Sequence, residues 1–236
     1  MIRFYAPDLK ADSTLPEVES GHCCRVLRMR NGDIIEVVDG QGNLFKCKII
    51  DANPKKTSVE ILSCDELTSH WSPNITIAVA PTKNMDRMEW LVEKAVEIGV
   101  NKIVFLNCKN NVRRIVKRER IEKIMISAMK QSLKARMPIL VDLIDIEDFL
   151  KMSNHDLKYI GYCDKNTERK EFAKEYDGQS DLTLMIGPEG DFTHDEIVSA
   201  LEKGYQAVTF GNTRLRTETA ALYALCAAHA LIDKIS

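Results

Sequence analysis

Hydrophobic and polar positions alternate with two different periods along this chain. Between residues 31 and 62 the period is two. Ile34–Val38 is a β-branched run, Asp39-Gly40-Gln41-Gly42-Asn43 is a turn cluster, and Leu44–Ile50 alternates, with Phe45, Cys47 and Ile49 opposite Leu44, Lys46 and Lys48. Asn53-Pro54-Lys55-Lys56 is a second turn and Thr57–Leu62 a third strand. Three short strands with tight polar turns predict a small β-barrel or sandwich, to which Ile2–Tyr5 adds a further strand. Residues 17–30 read as a short helix carrying His22, Arg25 and Arg28 on neighbouring turns.

A polar stretch, Asp65–Asn74 with Ser72-Pro73 inside it, marks a domain boundary. Residues 1–70 form the expected first domain and 73–236 the second. Beyond the boundary, strands alternate with helices. Strands are predicted at Ile75–Ala80, Ile103–Leu106, Tyr159–Cys163, Leu182–Ile186 and Tyr205–Phe210. Helices are predicted at Asn84–Ile98, stopping at Gly99, at Glu119–Leu133, at Thr193–Lys203 with a Thr193-x-x-Glu196 capping box, and at Thr217–Ile235. The last helix is apolar almost all round from Ala220 to Ile232, which demands burial in the core or in a subunit interface. The pattern predicts an α/β domain, a mostly parallel sheet with helices on both faces.

Composition narrows the class. The 236 residues suffice for one large or two modest domains. Aromatics are only 6% of them, so aliphatics must fill the core. No apolar run reaches the ~18 residues of a membrane span. Met1–Asp8 carries no signal-peptide apolar stretch, which argues a cytoplasmic protein. The seven cysteines, odd in number and without a Cys-x-x-Cys pair, read as free thiols. His22, Cys23 and Cys24 are consecutive, and consecutive side chains rarely converge on one ion, so no metal site is expected.

The net charge of −2 hides an asymmetry. Residues 83–136 hold fourteen Lys/Arg against six Asp/Glu, whereas residues 137–236 hold ten against eighteen. A basic middle in a slightly acidic protein points to a local polyanion-binding face; a solvated helix face explains the charge count equally well. The densest part, Cys108–Arg118, has five cations and no acid, with Lys109, Arg113, Arg114, Lys117 and Arg118 just past a predicted strand. Lys83 and Arg87 follow another strand end. Cations at those positions can neutralise phosphates.

In open α/β sheets, ligands bind where strands end. Gly187-Pro188-Glu189-Gly190-Asp191-Phe192 follows one strand and leads into the capped helix, whose N-terminus attracts acceptor groups. Alone, it reads more readily as an ordinary strand-to-helix turn. Phe210-Gly211-Asn212-Thr213-Arg214-Leu215-Arg216-Thr217-Glu218-Thr219 packs two arginines and a carboxylate between a strand and the apolar helix. Helix capping accounts for one threonine and Glu218 but not for the arginines. Gly161-Tyr162-Cys163-Asp164 is a third connection that can wall the same pocket. Gly-x-Gly-x-x-Gly, Gly-x-x-x-x-Gly-Lys-Ser/Thr and Gly-x-Ser-x-Gly are all absent, which argues against a dinucleotide fold, a P-loop and a hydrolase elbow.

Together these segments resemble the RsmE family of SPOUT methyltransferases, which methylate N3 of one uridine in 16S ribosomal RNA of the small subunit. The matching residues are His22-x-x-Arg25-Val26-Leu27-Arg28 with Gly32-Asp33, Lys83 and Glu89 with Glu93–Val100, Gln131-Ser132 with Pro138, Ile186–Gly190, and Leu215–Ala220. The resemblance implies a PUA-like β-barrel ahead of a methyltransferase domain with a deep trefoil knot. It also implies a homodimer, S-adenosyl-L-methionine as cofactor and ribosomal RNA as partner. It assigns cofactor binding to Cys163, Ile186, Gly187, Pro188, Glu189, Gly190, Phe210, Gly211, Leu215, Arg216, Thr217 and Thr219. RNA contact falls to Arg3, His22, Arg25, Arg28, Lys83, Arg87, Lys109, Arg113, Arg114, Lys117 and Arg118. Arg216, or Arg214, would stabilise charge on a uracil carbonyl, and Glu189 or Glu218 would accept the N3 proton. A ribose 2′-O-methyltransferase and a non-catalytic rRNA-binding or assembly protein are the alternatives. Two departures stand out. Asp191 replaces a frequent glycine, and Asp tolerates positive φ less well. Cys108-Lys109-Asn110 replaces the family's usual Ser-Glu-Arg.

Overall fold

The computed structural model describes residues 2–67, 71–152, 157–163 and 168–234. Asp164 and Ile235, named above, lie outside the described residues. The chain divides into two compact units, Met1–His70 with Met125–Met137, and Trp71–Ile124 with Pro138–Ser236.

In the first unit β1 (Arg3–Tyr5) is followed by the short helices α1 (Leu9–Asp12) and α2 (Glu17–Gly21), a π-helical turn His22–Val26, and the strands β2 (Ile34–Val38), β3 (Asn43–Asp51) and β4 (Ser58–Glu66). They form one sheet in the order β1-β2-β3-β4, with β1 parallel to β2 and the rest antiparallel. The period-two reading of β3 holds. Phe45, Cys47 and Ile49 enter a core with Phe4, Leu9, Leu15, Ile35, Val37 and Val59, while Lys46 and Lys48 face solvent.

The expected 17–30 helix is shorter than its pattern. The Met29 N–H reaches back to the Cys23 carbonyl at 3.1 Å, and Arg28 takes the left-handed conformation at φ 55. That closure, around a left-handed residue that is usually glycine, ends the helical turn. Arg28 therefore stands outside the helix that carries His22 and Arg25.

Residues 125–137 group with this first unit rather than with the second, where the sequence pattern puts them. Polar partners hold them. Lys130 Nζ pairs with the buried Glu19 carboxylate, the Gly42 N–H donates to Ala135 O at 3.0 Å, and the Met137 N–H to Gly40 O at 2.8 Å.

In the second unit, β5 (Ile75–Val79), α3 (Met85–Ile98), β6 (Lys102–Asn107), α4 (Arg118–Gln131), β7 (Ile139–Asp145), α5 (Ile146–Lys151), β8 (Leu157–Gly161), β9 (Lys170–Glu171), α6 (Phe172–Glu175), β10 (Leu182–Ile186), α7 (His194–Glu202), β11 (Gln206–Thr209) and α8 (Thr217–Asp233) follow in order, with α4 running on into the 125–137 segment. Seven strands make one sheet, β7-β6-β5-β10-β8-β11-β9, and every described pairing in it is parallel. Each residue of β5 and β10 is buried, the mark of strands covered on both faces. The pattern carries no signal for β7, β9, α5 and α6. β7 is an edge strand and half-exposed, β9 is two charged residues long, and the two helices are too short to show a period.

Helix ends follow local chemistry. Asn84 Oδ1 accepts the Asp86 N–H at 3.0 Å ahead of α3, which stops at Gly99 with φ 130. Thr193 caps α7 in a full capping box with Glu196. α8 buries Ala221, Leu222, Ala224, Leu225, Ala228 and Ile232 against α3 and the sheet, yet Thr219, Tyr223, Cys226 and Ala230 form an exposed stripe. Replacing Thr193 by Ala removes the α7 cap and is expected to lower stability by about 1 kcal/mol. An unchanged urea midpoint would show that the capping hydroxyl contributes nothing.

Candidate active site

The three central strands end level. Ile186 of β10 lies opposite Val79 of β5 and Gly161 of β8. Their connections therefore leave the sheet side by side at its carboxyl edge. The loop 187–192 after β10 and the segment 210–217 ahead of α8 meet there. Thr217 Oγ1 donates to the Gly187 carbonyl at 3.0 Å.

Between them lies a cavity of about 900 Å³ lined by both segments and by Gly161, Tyr162, Cys163, Arg169 and Ala220. Its walls alternate apolar surface (Ile186, Pro188, Leu215, Phe210) with backbone polar groups. Small residues make this possible. A Cβ on Gly161 would stand 2.5 Å from Phe210 Cε2, and one on Gly187 2.9 Å from the Phe192 ring. Gly211 holds φ 110, a conformation that L side chains rarely adopt.

Asp191 resolves its departure from the glycine pattern by paying with its own carboxylate. It takes φ 63, while Oδ2 accepts the Cys163 N–H at 2.8 Å and Oδ1 accepts the Phe192 N–H at 2.9 Å. The loop after β8 is thereby tied to the loop after β10.

Residues 70–229 match the model of an RNA methyltransferase domain, and residues 15–62 that of an RNA methyltransferase PUA domain. A relative from Rickettsia conorii, ribosomal RNA small subunit methyltransferase E, is 30% identical, covering 94% of this chain and 93% of its own. The chain belongs to the ribosomal RNA small subunit methyltransferase E family. Among solved structures, a probable rRNA-methyltransferase from Porphyromonas gingivalis superposes with a TM-score of 0.94 at 42% identity, covering 100% of both chains. Methyltransferase E from Neisseria gonorrhoeae, bound to S-adenosyl methionine, superposes at 0.86 with 31% identity over 98% of each chain.

Within this methyltransferase E fold, the cofactor candidates Cys163, Ile186, Gly187, Pro188, Glu189, Phe210, Gly211, Leu215, Arg216 and Thr217 all line the cavity. Gly190 and Thr219 do not. Gly190 faces the 108–111 segment, and Thr219 points from α8 into solvent. Of the catalytic candidates, Arg216 and Glu189 are exposed at the cavity, and Glu189 Oε2 accepts the Lys83 N–H at 3.4 Å. Glu218 is buried away from it, 3.7 Å from Arg87 Nε on α3. A helical residue next to a cavity-facing Thr217 must turn its side chain elsewhere.

The basic candidates separate into two groups. Arg3 bonds Glu36 at 3.1 Å and the Leu133 carbonyl. Arg87 holds Glu218. Arg114 bonds Asn107 Oδ1 at 2.6 Å and Lys109 O at 3.1 Å, and Arg118 pairs with Glu122 and Asp142. These four brace the protein. Arg25, Arg28, Lys83, Lys109 and Lys117 are exposed, and Arg113 and His22 half-exposed. Beneath this segment burial pushes the Cys108 thiol above its ordinary range, so it stays protonated.

Sequence reasoning missed Arg169 as a wall of the cavity. It lies in a stretch without periodicity, and its guanidinium rests over the Tyr162 ring, 5.9 Å from the centroid, and bonds the Tyr162 carbonyl. Asn110, a further omission, reaches the cofactor-side loop. Substituting Gly161 by Ala forces Phe210 aside and is expected to cost about 1–3 kcal/mol while narrowing the cavity. A melting temperature equal to the unsubstituted protein's would mean that Phe210 has room to move.

Proposed function

We propose that this cavity binds S-adenosylmethionine and that the protein methylates N3 of a uridine in 16S ribosomal RNA. The observation that carries the reading is the Thr217–Gly187 bond, by which two glycine-hinged connections close around one cavity. The lining fits the cofactor. Its size is within the usual range for small-ligand sites, roughly 300–1,000 Å³. Apolar walls suit an adenine ring, and the backbone of 187–189 and 211–216 offers polar partners. The gonococcal relative with bound S-adenosyl methionine supports the same assignment. The PUA match supports an RNA target, and the relatives named ribosomal RNA small subunit methyltransferase E support ribosomal RNA.

When bound, the cofactor supplies an electrophilic methyl group on a sulfonium centre. The chain must do the rest, because uridine N3 carries a proton and is a poor nucleophile. Arg216, with Arg214 beside it, donates hydrogen bonds to a uracil carbonyl and stabilises the negative charge that develops as N3 deprotonates. Glu189, exposed at the cavity and held by the Lys83 N–H, accepts that proton and releases it to solvent. Glu218 acts by position, fixing the first turn of α8 through Arg87. Arg25, Arg28, Lys83, Lys109, Arg113 and Lys117 take RNA phosphates. A second copy of the chain covers the exposed stripe of α8, placing the site at a homodimer interface, and the C-terminal segment of the methyltransferase domain forms the trefoil knot. The enzyme works in the cytoplasm, where ribosomes are assembled.

Replacing Arg216 by Ala is expected to lower turnover about 10²–10³-fold, with S-adenosylmethionine affinity by calorimetry changed only a few-fold. Turnover near the unsubstituted rate would remove Arg216 from the chemistry. Mapping of modified nucleosides in 16S ribosomal RNA, with and without the protein, tests the N3 assignment directly. Charge reversal at Lys109, Arg113 and Lys117 should reduce the slope of log K against log salt by about 0.7–0.9 per lost phosphate contact. The same reversal at Arg114, whose guanidinium is already bonded to Asn107 Oδ1 and Lys109 O, should change that slope less.

A further inference from the structure

Cations at 109–117 and the cavity loop 187–192 are joined by a link that methyl transfer itself does not require. Asn110 Nδ2 donates to two carbonyls, Gly190 O at 3.2 Å and Asp191 O at 3.0 Å. One residue earlier, the Lys109 N–H donates to Glu196 Oε1 at 2.8 Å. The other oxygen of Glu196 accepts the Thr193 N–H at 2.7 Å and the Thr193 hydroxyl at 3.1 Å. Contact is close as well as polar. A Cβ on Gly190 would lie 3.3 Å from Asn110 Cβ, so the absence of a side chain at 190 lets the two segments approach.

From Asp191 the link continues. Its carboxylate holds the N–H of Cys163, which lines the cavity, and its own N–H donates to the carbonyl of Pro188, another lining residue, at 2.9 Å. A chain of hydrogen bonds thus runs from the side chain of Asn110 through Asp191 to two walls of the cavity, while the backbone of Lys109 is anchored on the α7 cap. At one end stand exposed cations suited to phosphates, at the other the cofactor walls. The Asn110 residue is itself exposed and lies outside the cavity lining, so it acts only through others.

We propose that Asn110 is a positioning residue that couples RNA binding at 109–117 to cofactor binding in the cavity. Phosphates that order the basic segment also order loop 187–192 through the Asn110 amide, and a nucleoside that orders the loop presents the basic segment to RNA. The coupling is reciprocal by thermodynamic linkage. It rests on the cofactor and RNA reading given above, and it adds that the two ligands favour each other. A plain structural brace would change stability or both affinities singly, without making one affinity depend on the other.

The test uses the full chain, the unreactive product S-adenosylhomocysteine, and small ribosomal subunits from cells lacking the protein. Subunit affinity is measured with and without saturating S-adenosylhomocysteine for the unsubstituted protein, Asn110→Ala and Asn110→Leu, the last keeping the volume without the donors. The unsubstituted protein is expected to bind subunits at least about fivefold more tightly with the nucleoside present. Both variants should keep their melting temperature and lose most of that factor. Equal factors in all three proteins, or no dependence in the unsubstituted one, would overturn the coupling alone. Failure of the unsubstituted protein to bind the nucleoside or the subunits at all would overturn the methyltransferase reading and the coupling with it.

Discussion

Three neighbouring parallel strands stop at one level, and each is fully hydrogen-bonded to the next, so their ends cannot slide past one another. The connections that leave β5, β8 and β10 consequently compete for the same space at the carboxyl edge. Close approach is possible only where side chains are small, hence Gly161 under Phe210 and Gly187 under Phe192. Given that approach, the polar groups of the loops find one another. The Thr217 hydroxyl finds Gly187 O, and the Asp191 carboxylate finds the Cys163 N–H. The cavity is what remains between loops held in this way. Its position follows from strand register, and its walls from glycines.

Charge is used here in two ways that composition cannot separate. Part of the basic surplus of residues 83–136 is engaged by partners within the protein. Arg87 answers the buried carboxylate of Glu218, and Arg114 and Arg118 close loop and strand-edge contacts. Exposed pairs such as Arg118 with Glu122 contribute little, ~0–1 kcal/mol. Glu218 is different, because a buried carboxylate left without a partner is strongly destabilising. The exposed Lys83, Lys109 and Lys117 stand near the same sheet edge as the cavity. Exposed positive charge and the cavity therefore share one face of the second unit.

The two departures from the family pattern turn out to be neighbours. Asp191 stands where glycine is frequent, and Asn110 stands where another triplet is usual, yet the Asn110 amide bonds the Asp191 carbonyl. A left-handed aspartate is less favoured than glycine, but its carboxylate caps two backbone N–H groups, which offsets the backbone cost. The loop keeps its course by exchanging backbone freedom for side-chain hydrogen bonds.

Local chemistry determined what the sequence could show by itself. Period two placed β2 to β4 and their inward face. Runs of apolar residues placed β5, β6, β8, β10 and β11. Asn84, Thr193 and the glycine at 99 set helix ends, and the motifs at 186–190 and 215–220 identified the family and seven walls of the cavity. Each of those signals lies within a few residues of its effect. Only the tertiary structure decided that 125–137 belongs with the first unit, that Arg169 walls the cavity, that Glu218 turns away from it, and which cations stay free. Those outcomes depend on partners distant in sequence, as with Asn110 and Gly190, 80 residues apart. A charge or an amide carries no local mark of the partner it will meet, since folding supplies that partner only when the strands have come into register.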